Sequence, residues 1–286
     1  MLLRIVDWLE HLRLRAGGFK SRHVPTSVGP VHLVEHAAHD RGPPLVIVHG
    51  INANHMSFAS VMLGLRGHFS RVVAIDLLGH GYSHRPDELR AGNLASALVE
   101  SLDEVVDPAR PALFLGNSLG GLSALRYARE RPERIAGLLL SSPGGARESA
   151  EDLADFLGRF HMPSNSHAVE FLERLYAKTP WFTPLAAPFV RRRFMAPNIR
   201  GLIEATTPQD LAHADELAAL HMPVRLLWGR HDTLMPRRHF EWYQRHLPRH
   251  ADVIEDDLSH CPQLDQPRKL RQHILDWARS VTDQGA

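Results

Sequence analysis

Ala112-Leu113-Phe114-Leu115-Gly116-Asn117-Ser118-Leu119-Gly120-Gly121 carries an apolar run that stops in a glycine-rich turn. The run at 112–116 has the length and composition of a strand buried on both faces. Residues 119–131 read as a helix that ends before Pro132. Between strand and helix stands Gly116-x-Ser118-x-Gly120. A serine at such a turn sits in strained backbone, and its flanking positions must be small because the chain doubles back there. The helix that follows aims its amino end at the site, where negative charge develops during acyl transfer. The bare pattern arises by chance in roughly one chain in ten of this length. Its weight therefore comes from its place between strand and helix; elsewhere it would be an ordinary tight turn.

Outward from this turn, short apolar runs alternate with longer helical patterns, which predicts βαβ units and a parallel sheet. LVIVH at 45–49, VVAID at 72–76, IAGLLLSS at 135–142, VRLLWG at 224–229 and DVIEDD at 252–257 read as strands. Residues 23–28 and 31–36 read as an opening hairpin turned by Gly29-Pro30. Helices are expected at 91–106 and, closing the chain, at 264–280. Residues 143–222 hold no convincing strand but carry helical patterns near 149–160, 166–178, 184–195 and 209–220. That block reads as a helical cap inserted between two strands, over the ligand crevice of an open α/β sheet. The expected organisation is an N-terminal helix at 1–20, a core at 21–142 and 223–286, and a cap at 143–222.

Three more segments join Ser118. His49-Gly50-Ile51-Asn52 follows the strand at 45–48, where a backbone N–H can join that of the residue after the nucleophile to bind an oxyanion. The Ile51 and Leu119 amides are the candidates. Asp232, in Trp228-Gly229-Arg230-His231-Asp232, follows the strand at 224–229 and can hold a base imidazole in one tautomer. Asp256 and Asp257 compete for this role from beside the last strand. His260, in Leu258-Ser259-His260-Cys261-Pro262, lies between the last strand and the last helix. Taken singly these are a glycine turn, a loop aspartate and a lone histidine. Together they give Ser…Asp…His in the order an α/β-hydrolase requires.

On HGIN at 49–52, DLLGHGYS at 76–83, GNSLGG at 116–121, WGRHDTLMP at 228–236 and SHCPQLDQP at 259–267, the chain resembles the α/β-hydrolase superfamily from about residue 20 to 280. The resemblance implies a predominantly parallel eight-stranded sheet with a helical cap after the sixth strand. It implies that Asp76, Gly79 and Gly81 shape a loop at the site edge, although a plain turn-capping role suits Asp76 better. Epoxide hydrolases and haloalkane dehalogenases carry an aspartate where this chain has Ser118, so they are excluded. GNSLGG is similar to the GNSMGG of hydrolases that cleave carbon–carbon bonds in ring-opened aromatic products. Those usually have Trp after the catalytic His, where this chain has Cys261-Pro262. The more economical resemblance is to lid-bearing carboxylesterases and monoacylglycerol lipases.

The expected activity is hydrolysis of carboxylic esters with apolar, short-to-medium acyl groups through an acyl-enzyme. The alternatives are a carbon–carbon bond hydrolase acting on vinylogous diketo acids, and an acyltransferase or thioesterase using the same triad. Phe156, Phe160, Trp181, Phe182 and Phe189 are the candidate acyl-pocket residues of the cap, with Phe171, Leu175, Phe194 and Met195 as further apolar side chains. Each could equally serve cap packing. Arg191-Arg192-Arg193 reads as a solvated helix face, with an anionic substrate or a membrane as the sharper alternative.

Composition narrows the classes. With 286 residues the chain can bury a sizeable core without disulfide or metal. A net charge of +1 argues against a dedicated nucleic-acid binder. A single cysteine, Cys261, permits no intrachain disulfide. Despite 20 histidines there is no His-Glu-x-x-His, and Pro248 separates His246 from His250, so no metal site is expected. No organic cofactor is required by the expected chemistry, and the substrate is a small-molecule ester. No apolar run reaches the roughly 18 residues of a membrane span. In MLLRIVDWLEHLRLR, Asp7 and Glu10 fall too early for a signal-peptide core, and the expected location is cytoplasmic. Leu2, Ile5, Val6, Leu9 and Leu12 recur at helical spacing. The segment reads as a helix docked on the body or frayed, or else as one making weak contact with a membrane surface, with Arg4, Arg13 and Arg15 at the headgroups.

Overall fold

The structure, a computed structural model, describes residues 2–39 and 41–284, apart from the side chains of residues 2–7 and 284. Eight strands form one sheet in the order β1-β2-β4-β3-β5-β6-β7-β8. They are β1 Lys20–Val24, β2 Val31–Ala37, β3 Leu45–Val48, β4 Arg71–Ile75, β5 Ala112–Asn117, β6 Ile135–Ser141, β7 Val224–Gly229 and β8 Asp252–Asp256. β2 runs antiparallel to both β1 and β4, and the five remaining pairs are parallel. The predominantly parallel eight-stranded class expected from the sequence is the observed one.

The alternation of burial within each strand explains why these runs are apolar throughout. Leu45 and Ile47 join one core layer, with Met62 and Leu65 of α2 (Ala59–Leu65) and Ile274 and Trp277 of α12 (Pro267–Gln284). Val46 and Val48 join the opposite layer, with Leu98 and Leu102 of α3 (Ala91–Val105) and Leu125 of α4 (Leu119–Glu130). A strand covered on both faces cannot alternate polar with apolar residues. Each fully buried aliphatic side chain there contributes on the order of 2 kcal/mol of transfer free energy.

Several boundaries differ from the sequence reading. The first strand is 20–24, not 23–28, because Pro25 has no N–H for the ladder and the chain turns at Thr26–Gly29. The closing helix is interrupted at Gln266, giving α11 (Pro262–Asp265) before α12, with a proline opening each piece. Between β6 and β7 lie α5 (Ala150–Gly158), α6 (Asn165–Leu175), α7 (Thr183–Phe194), α8 (Pro197–Ala205) and α9 (Ala214–Ala218), and no strand. α8 was not foreseen, and the helix expected at 209–220 shrinks to α9 after a 3-10 turn at Pro208–Asp210. α10 (Arg237–His246) links β7 to β8.

The chain opens with α1 (Leu2–Ala16), which packs on α2 and α7. Among its described side chains only Leu14 is wholly buried, in the layer of Met62 and Leu65. Leu9 and Leu12, expected on the docked face, are exposed instead, because Leu14 and His11 turn inward. The expected places of Leu2, Arg4, Ile5 and Val6 lie outside the described side chains. Among the described residues no helix is long and apolar enough to cross a membrane.

Candidate active site

Ser118 sits between β5 and α4 with φ 55° and ψ −123°. A non-glycine residue held there costs of order 1–3 kcal/mol and needs surroundings that over-determine it. The neighbourhood supplies them. The Ser118 carbonyl accepts from the Gly121 N–H at 2.8 Å and from the Gly144 N–H at 2.9 Å, and its own N–H reaches the Ser141 carbonyl at 3.2 Å. A Cβ on Gly120 would collide with the Val48 and His49 carbonyls, and one on Gly116 with the Gly120 carbonyl. The turn can therefore press against the end of β3 only with glycine at both positions. A Cβ on Gly50 would lie 3.1 Å from the Ser118 Cβ, so the loop after β3 runs directly past the serine.

Asp232 and His260 arrive from the ends of β7 and β8. His260 Nδ1 lies 2.8 Å from Asp232 Oδ2, and both side chains are almost wholly buried. A carboxylate can only accept, so Nδ1 carries the hydrogen and Nε2 is left as the free base. Asp232 is itself fixed, because its Oδ1 accepts from the Leu234 and Met235 N–H groups at 3.0 Å each. Asp256 and Asp257 are engaged elsewhere. Asp256 accepts from Lys269 Nζ and His273 Nε2, both at 2.8 Å, and Asp257 pairs with Arg230 at 2.6 Å.

Ser118 and His260 line one cavity of about 540 Å³, together with Ile51. Among the described residues, neither the Ile51 nor the Leu119 amide donates to a protein acceptor. The far wall comes from Phe171, Leu172 and Leu175 of α6 and Ala186, Val190 and Phe194 of α7. Of the five aromatic residues proposed for an acyl pocket, Phe182 alone lines this cavity. Phe156 and Phe160 pack edge-to-face at 5.3 Å, Phe156 also meets His239, and Phe160 opens on a different hollow beside α8. Trp181 is 84% exposed, and Phe189 is half-buried away from the cavity. The reason is helical phase: in α7, positions 186, 190 and 194 face the cavity, and 189 points elsewhere. Of the three consecutive arginines only Arg193 lines the cavity; Arg191 donates to the Met162 and Pro163 carbonyls, and Arg192 is exposed.

Two residues that the sequence reading passed over tie the serine to the histidine. Asn117 Nδ2 donates to the Ser141 carbonyl at 3.1 Å and to the His260 carbonyl at 3.0 Å. Gln263 Nε2 returns a bond to Asn117 Oδ1 at 3.1 Å. The signal was a buried asparagine ending an otherwise apolar strand, which must find partners for its amide.

Behind the loop after β3 lies a set of buried imidazoles around Asp76. Asp76 accepts from the His32 and His55 rings at 2.9 and 3.0 Å and from the His55 and Tyr82 N–H groups. Burial alone would raise its pKa, but His55 and His32 outweigh it and hold the carboxyl well below its ordinary range. A Cβ on Gly81 would strike this carboxylate, which accounts for glycine there. Asp76 thus does more than cap a turn: it joins β2, the 3-10 turn at His55–Phe58 and the 79–83 loop. His49 Nε2 accepts from the Leu77 N–H at 3.0 Å, so Nδ1 is the protonated nitrogen and faces the Gly50 carbonyl at 2.7 Å. This fixes the loop that passes Ser118.

His80 lies behind His49, and burial pushes its pKa down to about 3. Between the unfolded value near 6.5 and about 3, the unfolded chain binds a proton that folded His80 refuses. Stability contributed by this residue is therefore complete above about pH 6.5 and falls by about 1.4 kcal/mol per pH unit below it. Urea unfolding at pH 7 and pH 5 is expected to show the native chain losing on the order of 2 kcal/mol more than His80→Gln. Equal losses in both would contradict the assignment of a neutral buried imidazole.

Residues 45–272 match the profile of the alpha/beta hydrolase family. A pimeloyl-[acyl-carrier protein] methyl ester esterase of Neisseria meningitidis serogroup C is 27% identical over 249 residues, covering 82% of this chain and 93% of the relative. The crystal structure of a membrane phospholipase A superposes with a TM-score of 0.79 at 22% identity, over 98% of this chain and 92% of the other. A 2-hydroxy-6-oxo-6-phenylhexa-2,4-dienoate hydrolase of a Rhodococcus species superposes with a TM-score of 0.74 at 21% identity, over 91% and 99%. The two superpositions speak for a shared fold. With the matched span running from β3 into α12, through the serine turn and the aspartate and histidine loops, the chain belongs to the alpha/beta hydrolase family.

Proposed function

We propose that the protein is a serine esterase acting on carboxylic esters with apolar acyl groups. The observation that carries this reading is the 2.8 Å bond between His260 Nδ1 and Asp232, at the cavity that also holds the strained Ser118. With Nδ1 committed, His260 Nε2 is the group available to take the Ser118 proton as Oγ attacks the ester carbonyl. The Ile51 and Leu119 amides, both without a protein acceptor among the described residues, supply the oxyanion donors. His260 then protonates the departing alcohol, and water repeats the sequence on the acyl-enzyme. Asp232 balances the imidazolium while remaining ionised.

The apolar wall from α6 and α7 favours a hydrocarbon acyl chain, and a cavity of about 540 Å³ suits short to medium lengths. In this reading residues 143–222 act as a cap. The meningococcal relative is by name a methyl ester esterase, which acts on the same kind of bond. The test is a rate profile over p-nitrophenyl esters of increasing acyl length, beside a thioester and a vinylogous diketo acid. The expected result is a maximum in kcat/KM at short to medium acyl chains, with the diketo acid turned over at least about tenfold more slowly. Faster turnover of the diketo acid would replace this reading by carbon–carbon bond hydrolysis.

A further inference from the structure

The described residues expose eight large apolar side chains, and all of them gather at one place. Trp8, Leu9 and Leu12 stand on α1, with Trp8 56% exposed. Trp181, Phe182 and Leu185 stand at the start of α7, the helix α1 packs against. Leu264 lies on the rim of the catalytic cavity, which Glu10 of α1 and Phe182 also line. Tyr82 meets His11 of α1 edge-on, with ring centroids 5.5 Å apart. Soluble surfaces scatter such side chains singly; a gathered set with tryptophans marks a contact surface. Here the set surrounds the mouth that leads to Ser118.

We infer that this face docks on an anionic phospholipid bilayer, with α1 lying in the plane of the headgroups. Trp8, Leu9 and Leu12 fall at i, i+1 and i+4, one face of a helix. A helix of 15 residues, about 22 Å long, fits such a surface lengthwise. The exposed charges around the apolar set include Arg15 on α1, Lys178 just before Trp181, and Arg192 on α7. Glu10 is already paired with Arg13 at 2.6 Å, so it adds little negative charge to the face. Indole rings with flanking cations suit the boundary between acyl chains and anionic headgroups. Phe182 belongs both to the exposed set and to the cavity wall, so the bilayer contact and the cavity are continuous. Under the esterase reading, on which only this last step rests, an apolar ester would pass from the bilayer to Ser118 without crossing water.

The test is sedimentation of the full chain with vesicles of phosphatidylcholine alone and of phosphatidylcholine with phosphatidylglycerol. The partner measurements are tryptophan emission and the rate on a water-soluble acetate ester. The expected result is binding that strengthens at least fivefold with the anionic lipid, with a blue shift in emission. Trp8→Asp/Trp181→Asp should weaken binding at least tenfold and leave the acetate rate unchanged, since neither residue lines the cavity. Trp181→Ser alone, at the most exposed position, should weaken it in the same direction. Absence of vesicle binding, binding unaltered by these substitutions, or a native dimer that they dissociate would overturn the inference. Failure of the acetate assay alone would count against the esterase reading and leave the docking result standing.

Discussion

Ser118→Ala is expected to lower kcat for a p-nitrophenyl ester by on the order of 10⁵-fold or more, with the fold intact. The size follows from the division of labour in the site. In the proposed mechanism His260 and Asp232 act only through the serine oxygen, so removing it removes their contributions together, and only binding and the oxyanion donors remain. Folding is expected to survive because Ser118 is held by its backbone: the bonds to Gly121, Gly144 and Ser141 all use main-chain atoms. Alanine inherits the positive φ at 118 and its strain, so no gain in stability is expected from the change. Urea unfolding checks the fold and a single-substrate rate checks the chemistry. Retention of the parental rate would remove Ser118 from the mechanism.

Asp232→Asn is expected to lower kcat on the order of 10⁴-fold, about 5.5 kcal/mol in the barrier. The structure gives the reason in atoms. The Leu234 and Met235 amides claim Oδ1, so the asparagine oxygen stays with them and its NH2 turns toward His260 Nδ1. Nδ1 must then accept, which places the ring hydrogen on Nε2, where a lone pair is needed for the Ser118 proton. Asp256→Asn serves as the control, since Asp256 is tied to Lys269 and His273. It should leave the rate within a few-fold. Reversal of the two outcomes would move the acid of the site to the end of β8.

The part of the fold legible in the sequence was the part fixed by local signals. Strands buried on both faces must be apolar throughout, so LVIV at 45–48 and ALFLG at 112–116 announced themselves. Gly116 and Gly120 were legible because a side chain at either would strike backbone, that of α4 for Gly116 and that at the end of β3 for Gly120. That Asp232 and His260 meet was readable from their places after strands, although neither residue is distinctive alone. What failed to show were features set by partners distant along the chain. Phe156 and Phe160 look the same in sequence whether they meet a substrate or each other, and packing against His239 and Phe194 decided it. The docked reading of Leu9 and Leu12 fails for the same reason: Leu14 finds a pocket beside α2, and Leu9 and Leu12 are turned outward. Asn117 was passed over because its partners, Ser141, His260 and Gln263, become neighbours only when the sheet is assembled.

The most direct measurement is labelling with a fluorophosphonate, followed by peptide mass mapping of the adduct. The reagent reacts with a serine only where a base activates it and donors hold the resulting oxyanion, so it reports the assembled site without any assumption about substrate. The account predicts one adduct on the native chain, carried by Ser118, and none on Ser118→Ala. An adduct on another serine, or an unlabelled chain that continues to hydrolyse esters, would contradict it.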